Sequence, residues 1–227
     1  MNYYIERIDS LPFSVCGGLQ ITTLQAVLLI IMVSGLSYWI LEKRKAGVWL
    51  GIISLLFFIS LGSISLYQYD QQKKIIVYNV PQHQAIDLVS GNDHEFIGDS
   101  IMLKDAVLQN LHLKPARIAL QLRSGKDSLA SVFRQNMFYQ FNNKRMVLID
   151  KAMVFEPIQQ KINVDMIIIS KSPKLYIPQL AKAFNCGLYI FDASNSLWKI
   201  DKWKADCSAL NLHCYSIPAQ GAFVSDL

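Results

Sequence analysis

Hydrophobic and polar positions divide this chain near residue 70. No charged residue occurs between Asp9 and Glu42, or between Lys45 and Asp70. Each gap is long enough to cross the roughly 30 Å hydrocarbon layer of a bilayer, which takes about 20 apolar residues as a helix. The pattern predicts two membrane spans, from about Ile21 to Leu41 and from about Val48 to Tyr67. Tyr38, Trp39, Trp49, Tyr67 and Tyr69 fall near their ends, where aromatic rings favour the membrane–water interface. A cleaved signal peptide is not expected, because Glu6, Arg7 and Asp9 precede the first run and the run is too long for a leader core. Within residues 1–20, Ile5, Ile8, Leu11 and Phe13 stand among polar neighbours, and Pro12 and the Gly17-Gly18 pair interrupt any long helix. That pattern fits a short segment lying on the membrane surface.

Beyond residue 70 the periods shorten. The β-branched run Lys73 to Val80 stops at Pro81, and Gln84 to Val89 is closed by Ser90-Gly91-Asn92-Asp93, which predicts two early strands. Ile101, Leu103, Val107, Leu108 and Leu111 recur at helical spacing over 100–112, with Ser100 after Asp99 at the start and Pro115 at the exit. Strands are predicted at 117–123, 128–134, 136–141 and 144–149, with Asn142-Asn143 as a hairpin turn between the last two. Val164 to Ser170 is a continuous apolar run, the type buried on both faces of a parallel sheet. A helix over 175–184, a strand over 188–191, a helix carrying Leu197, Ile200, Trp203, Cys207 and Leu210, a strand over 213–217 and a short final strand over 222–224 complete the order. Alternating strands and helices predict an α/β domain with a partly parallel sheet.

Composition agrees with the membrane reading. The chain is 52% hydrophobic and only 17% charged, with a mean hydropathy of +0.25, too apolar for an ordinary soluble domain. The connector Glu42-Lys43-Arg44-Lys45 is basic, and basic loops stay in the cytoplasm, so the α/β domain is expected on the opposite side. Residues 70–227 hold 18 Lys+Arg against 14 Asp+Glu, a weak excess that suits either a nucleic-acid contact or a plain solvated surface. The four cysteines at 16, 186, 207 and 214 form no CxxC pair, so no structural zinc site is expected. Buried free thiols are the plainer state for Cys186, Cys207 and Cys214, although an oxidising compartment would permit a disulfide between two of them.

Chemical motifs are mostly missing: there is no HxHxDH, HExxH, P-loop, GxGxxG or GxSxG. His83, His94, His112 and His213 are scattered in the sequence. Asp87, Asp150 and Asp192 each follow an apolar stretch, where α/β folds gather polar sites, although capping the next turn is the plainer role. Asp192-Ala193-Ser194-Asn195-Ser196 reads as ordinary helix N-cap chemistry.

Three strings carry a resemblance: Ile75 to Pro81, Val164-Asp165-Met166-Ile167-Ile168-Ile169-Ser170-Lys171-Ser172-Pro173-Lys174, and Tyr189 to Asn195 through Gln220-Gly221-Ala222-Phe223. Together they resemble the C-terminal part of ComEC family DNA-uptake proteins. Leu11-Pro12-Phe13 and Gly18-Leu19, ahead of an apolar hairpin, resemble the last membrane segments of that family's competence domain. The resemblance covers nearly the whole chain but only the tail of a typical member, which implies that further membrane helices come from a partner chain or from a preceding part. It also implies a metallo-β-lactamase-like soluble domain acting near incoming DNA outside the cytoplasmic membrane. In that family's hydrolase domains the zinc-binding histidines follow a strand like Val164 to Ser170, whereas here Lys171-Ser172-Pro173-Lys174 follows it. A catalytic zinc needs about three protein ligands, so the resemblance implies a degenerate, metal-free, non-catalytic relative with no cofactor. Asp87, Asp150, Ser170 and Asp192 would mark the edge of the lost site, and Lys171 and Lys174 are candidate phosphate contacts.

The leading expectation is therefore a multi-pass component of an inner-membrane DNA-uptake channel, partnered by the lipid bilayer, other competence-domain helices and single- or double-stranded DNA. Two other readings stand beside it. One is a membrane-tethered hydrolase using Asp87, Asp150 and Asp192; the other is a membrane-anchored protein-interaction module.

Overall fold

The computed structural model describes residues 21–123, 125, 128–153, 155 and 160–227. The interfacial segment predicted for residues 1–20 lies outside them. The chain divides into two compact units, one holding the two long helices and residues 118–121, the other residues 70–117 and 122–227.

In the first unit, α1 (Thr23–Glu42) opens on a reciprocal cap: the Gln25 N–H donates to Thr22 Oγ1 and the Thr22 N–H donates to Gln25 Oε1. It stops at Lys43, which turns left-handed at φ 55° and donates its N–H to the Trp39 carbonyl. After a two-residue connector, α2 runs Lys45–Gln71. Both helices are long and apolar enough to cross a membrane, with mean hydropathies of 2.0 and 2.1. Small residues let them touch: a Cβ added to Gly47 would lie 2.6 Å from the Gly35 carbonyl oxygen, and one on Gly35 would lie 2.9 Å from Leu50 Cδ2. One turn or so further along the same stripe are Gly51 and Ser54, whose hydroxyl donates to the Leu28 carbonyl at 2.6 Å. Ser60 and Ser63 donate to the carbonyls four residues back, so their hydroxyls need no water. The remaining large side chains, such as Ile30, Trp49 and Phe57, point outward.

The second unit is built from two sheets and a helical layer. The strands are β1 (Lys73–Val77), β2 (Ala85–Ser90), β3 (Asp93–Gly98), β4 (Val132–Gln135), β5 (Phe138–Phe141), β6 (Lys144–Ile149), β7 (Ile162–Ile169), β8 (Phe184–Phe191), β9 (Cys214–Ser216) and β10 (Phe223–Asp226). One sheet, in the order β10-β1-β2-β3, is antiparallel throughout. The other, β4-β5-β6-β7-β8-β9, is antiparallel through β4 to β6 and parallel from β6 to β9. Side chains alternate across strands, so β7 feeds two cores. Met166 and Ile168 face Ile75, Val77, Ile86 and Leu88 of the first sheet. Ile167 and Ile169 face a layer formed by α6 (Ile177–Ala183) and α7 (Leu197–Ala209), through Leu180, Ile200, Trp203 and Cys207. Burial on both faces is what the unbroken apolar run over 164–170 predicted. At about 25 cal/mol per Å² of apolar surface, each fully buried isoleucine contributes about 1.5–3 kcal/mol.

Several expectations are corrected. Residues 117–123 form no strand. The helix expected over 100–112 breaks into α3 (Ser100–Lys104), α4 (Ala106–Leu108) and a π-helical turn over Gln109–Leu113, after which α5 covers Lys114–Ala119. Asp105 leaves helical geometry and caps α4 through Val107 and Leu108. In the π turn the Lys114 N–H bonds to the Gln109 carbonyl, five residues back. That irregular turn lets Pro115, which has no N–H to give, continue the helix rather than end it. Strand β3 is not expected from the sequence, where Asp93, His94 and Glu95 interrupt any apolar run, yet His94 and Glu95 are both buried. Gly91-Asn92 is the hairpin turn joining it to β2, with Gly91 at φ +62°. The strand expected over 128–134 is shifted to 132–135 and is joined to β5 by a second two-residue turn, Asn136-Met137, while Asn142-Asn143 joins β5 to β6 as predicted. Strand β8 begins at Phe184, four residues before the expected start, because Phe184, Asn185 and Cys186 pair with Ile162, Asn163 and Val164 of β7. Beyond α7, α8 (Ile217–Gln220) is a single turn that leads into β10.

Candidate functional site

The parallel strands β6, β7 and β8 end side by side, and the residues just past their ends form one edge. The ladder continues one step past the strands: the Ser170 N–H donates to the Ile149 carbonyl at 2.9 Å and the Asp192 N–H to the Ile169 carbonyl at 3.2 Å. This sets Ser170 against Asp192, and the Ser170 hydroxyl donates to Asp192 Oδ2 at 2.6 Å. Both residues are buried. Asp192 Oδ1 accepts from the Ser194 N–H and the Asn195 amide, each at 3.0 Å, and from the Ser194 hydroxyl. Burial pushes the Asp192 carboxyl up to about 6, against the pull of the hydrogen bonds from Ser170 and Ser194.

The chain leaves β7 through two consecutive left-handed residues, Lys171 at φ 61° and Ser172 at φ 51°. Non-glycine residues rarely adopt this geometry, and here side chains from the β8 exit hold it. The Lys171 N–H donates to Ser194 Oγ at 2.7 Å, the Ser172 N–H to Asn195 Oδ1 at 2.8 Å, and the Ser196 N–H to Ser172 Oγ at 2.8 Å. Ser196 occupies the N-cap position of α7 without a side-chain capping bond. The stretch Asp192 to Ser196, expected to cap a helix, instead clamps the exit of β7.

The other predicted residues part company. Asp150 follows β6, partly exposed, and takes no part in the Ser170–Asp192 hydrogen bonds. Asp87 does not follow a strand at all; it lies inside β2 of the other sheet, fully buried. There the Arg117 guanidinium grips it from two nitrogens at 2.8 and 2.9 Å, and the Tyr78 hydroxyl donates to it at 2.8 Å. Burial and the nearby Asp87 raise the Tyr78 pKa, and the guanidinium is held charged by the same carboxylate despite its own burial. The three aspartates are therefore not gathered into one acidic site. Lys171 Nζ lies 2.9 Å from Asp99, whose carboxylate also accepts from the Gln84 N–H and lies 3.5 Å from His83 Nδ1. Partial burial opposes ionisation of Asp99, but these donors hold its pKa below the usual value. Lys174 is exposed and joins Tyr176, Trp198, Lys199 and Lys202 around a small groove. Sequence reasoning missed the aromatic members of that groove. The available signal was Trp198, which stands off the buried stripe of Ile200, Trp203 and Cys207.

Residues 75–227, which include this edge and the groove beside it, match the family model described as the ComEC C-terminal domain. The chain belongs to this family. Its membership suggests a role in competence DNA uptake, and the family is membrane-associated, in keeping with the two membrane-length helices. Neither the curated proteins nor the solved structures gave a match. The matched span takes in every strand but the first two residues of β1, so the β7 exit and the clamp around it belong to the ComEC C-terminal domain proper. The residues at that exit do not fit a zinc ion. Lys171, Ser172, Pro173 and Lys174 provide no imidazole, thiolate or carboxylate, and the oxygens of Asp192 are taken by four hydrogen bonds. Among the described residues, no three His, Cys, Asp or Glu side chains gather as a metal site requires.

Proposed function

We propose that this chain is a multi-pass component of the competence DNA-uptake machinery in the cytoplasmic membrane. Its soluble domain contacts DNA on the extracytoplasmic side without catalysing a reaction. The observation that carries the reading is the match of residues 75–227 to the ComEC C-terminal domain, directly behind two membrane-length helices. The basic connector Lys43-Arg44-Lys45 supports a cytoplasmic turn and an external domain. Two facing sheets with helices on the outer face of one support a reduced metallo-β-lactamase-like domain. A non-catalytic role is supported by the chemistry of the edge, where the buried acid is saturated and the segment following β7 is basic rather than ligating. Two helices cannot enclose a DNA strand, so conduction needs other competence-domain helices or further copies of this chain. The tests are direct. Deleting the gene in a transformable host should abolish uptake of labelled DNA, and a copy on a plasmid should restore it. The purified chain should leave DNA uncut in the presence of zinc, magnesium or manganese. A cysteine placed on the soluble domain should react with a membrane-impermeant thiol reagent in intact spheroplasts. Normal uptake in the deletion strain overturns the reading.

A further inference from the structure

The groove between the start of α6 and the first turns of α7 has a composition that a solvated surface does not require. Tyr176 and Trp198 form its rim, 58% and 65% exposed, while Leu175 and Trp203 form a buried floor. Three lysines surround the rings. Lys202 Nζ lies 5.4 Å from the Tyr176 ring centre, Lys199 Nζ lies 5.7 Å from the Trp198 ring centre, and Lys174 lines the same recess. Lys199 also donates to the carbonyls of Ser172 and Pro173, which orient its charge without neutralising it. Among the described residues no carboxylate lines the groove, and the two acids of α7, Asp201 and Asp206, lie outside its lining. Its volume is about 170 Å³, below the roughly 300 Å³ at which pockets begin to hold whole drug-sized ligands. The recess has room for one planar ring, with lysines placed for the groups attached to it.

We propose that this groove binds unpaired DNA, stacking bases on Trp198 and Tyr176 while Lys174, Lys199 and Lys202 take the adjoining phosphates. A duplex hides the faces of its bases, so only a single strand can use the exposed rings. Stacking on aromatic side chains together with a basic track is how proteins hold single strands without reading sequence. Aromatic rings with lysines also suit the headgroups of a bilayer, but the walled, ring-sized recess over Trp203 favours a base. The proposal rests on the DNA-uptake reading above and can fail without it.

The test uses the full chain in nanodiscs of neutral phosphatidylcholine, with fluorescence anisotropy of labelled oligo-dT and of a hairpin duplex of equal length. The single strand should bind more tightly than the duplex and should quench tryptophan fluorescence. Trp198→Ala should weaken single-strand binding by about five- to 150-fold, and Tyr176→Ala should act in the same direction. Trp198→Phe keeps a ring and should stay within about threefold. Lys174→Gln and Lys202→Gln should each lower the slope of log affinity against log salt by about 0.7. Unchanged single-strand affinity in the Trp198→Ala, Tyr176→Ala double variant overturns the groove as the site while leaving the uptake reading intact. Loss of binding to phosphatidylglycerol vesicles in those variants, with DNA affinity unchanged, would assign the groove to lipid and also overturn it. A wild-type chain that binds neither DNA form at low salt overturns it whatever the uptake phenotype.

Discussion

Replacing Asp192 with asparagine removes one titrating group from the junction of β7 and β8 while keeping its shape. The asparagine carbonyl can keep the Ser194 and Asn195 donors, and its amide can face the Ser170 hydroxyl, which accepts as readily as it donates. The native carboxyl titrates at about 6 in the folded chain and near 4 once unfolded. A group whose folded pKa is raised binds its proton more tightly in the native state. Its contribution is thus complete below about pH 4 and lost as pH rises through about 6. At about 1.4 kcal/mol per pH unit, the wild type should lose about 3 kcal/mol from this one group between pH 3.5 and pH 7.5. The asparagine variant should not lose it. Urea unfolding of the full chain in detergent, followed by tryptophan fluorescence at several pH values, measures both chains. Other titrating groups are common to the two and cancel in the difference, which should grow in the variant's favour by about 3 kcal/mol over that range. Parallel stability–pH curves would refute the claim that Asp192 is held buried against its charge.

Three further outcomes rest on the geometry. Arg117→Met leaves the fully buried Asp87 without its cation and should cost about 3–5 kcal/mol in the same unfolding assay, whereas adding Asp87→Leu should recover most of the loss. Lys171→Met removes a partly exposed partner of Asp99 and should cost less than about 1 kcal/mol. That small contribution exists only above the ordinary carboxylate range and fades as pH falls through the depressed Asp99 value, so NMR titration of Asp99 should move upward in the variant. Gly47→Leu drives a side chain into the Gly35 carbonyl and should cost about 1–3 kcal/mol of hairpin stability, read as a loss of thermal stability of the two helices in micelles.

Ile167, Ile168 and Ile169 made β7 legible because a strand buried on both faces has no polar alternation to disguise it, and the charge-free gaps before residue 70 made both long helices legible for a similar reason. The failures share a cause of their own. His94 and Glu95 conceal β3 because their polarity is satisfied or enclosed by distant chain, as where the Leu129 N–H donates to the Glu95 carboxylate. Asp87 looked like a strand-end acid because the arginine that explains it lies 30 residues further on. Ser170 and Asp192 were both visible as residues of a polar edge, but their hydrogen bond depends on the parallel register of β7 and β8, which no local pattern encodes. Trp198 and Tyr176 come together only when the helices are docked.

The clamp and the groove are mechanically one structure. Asp192 orders Ser194 and Asn195, these hold Lys171 and Ser172 in left-handed geometry, and Pro173 to Tyr176 leave that turn as one wall of the groove. Lys199 closes the circuit by donating from the opposite wall to the carbonyls of Ser172 and Pro173. The segment after β7 carries no imidazole, thiolate or carboxylate of its own through which a metal could organise it. Hydrogen bonds among serines, an asparagine and the buried Asp192 carboxyl hold it instead. This arrangement makes the strand-end acid a positioning residue for the surface beside it. Protonating Asp192 keeps its hydrogen bonds within reach, whereas Asn195→Ala removes the acceptor of the Ser172 N–H and the donor to the Ile169 carbonyl at once. The groove should therefore tolerate the loss of the charge at Asp192 and not the loss of the amide at Asn195.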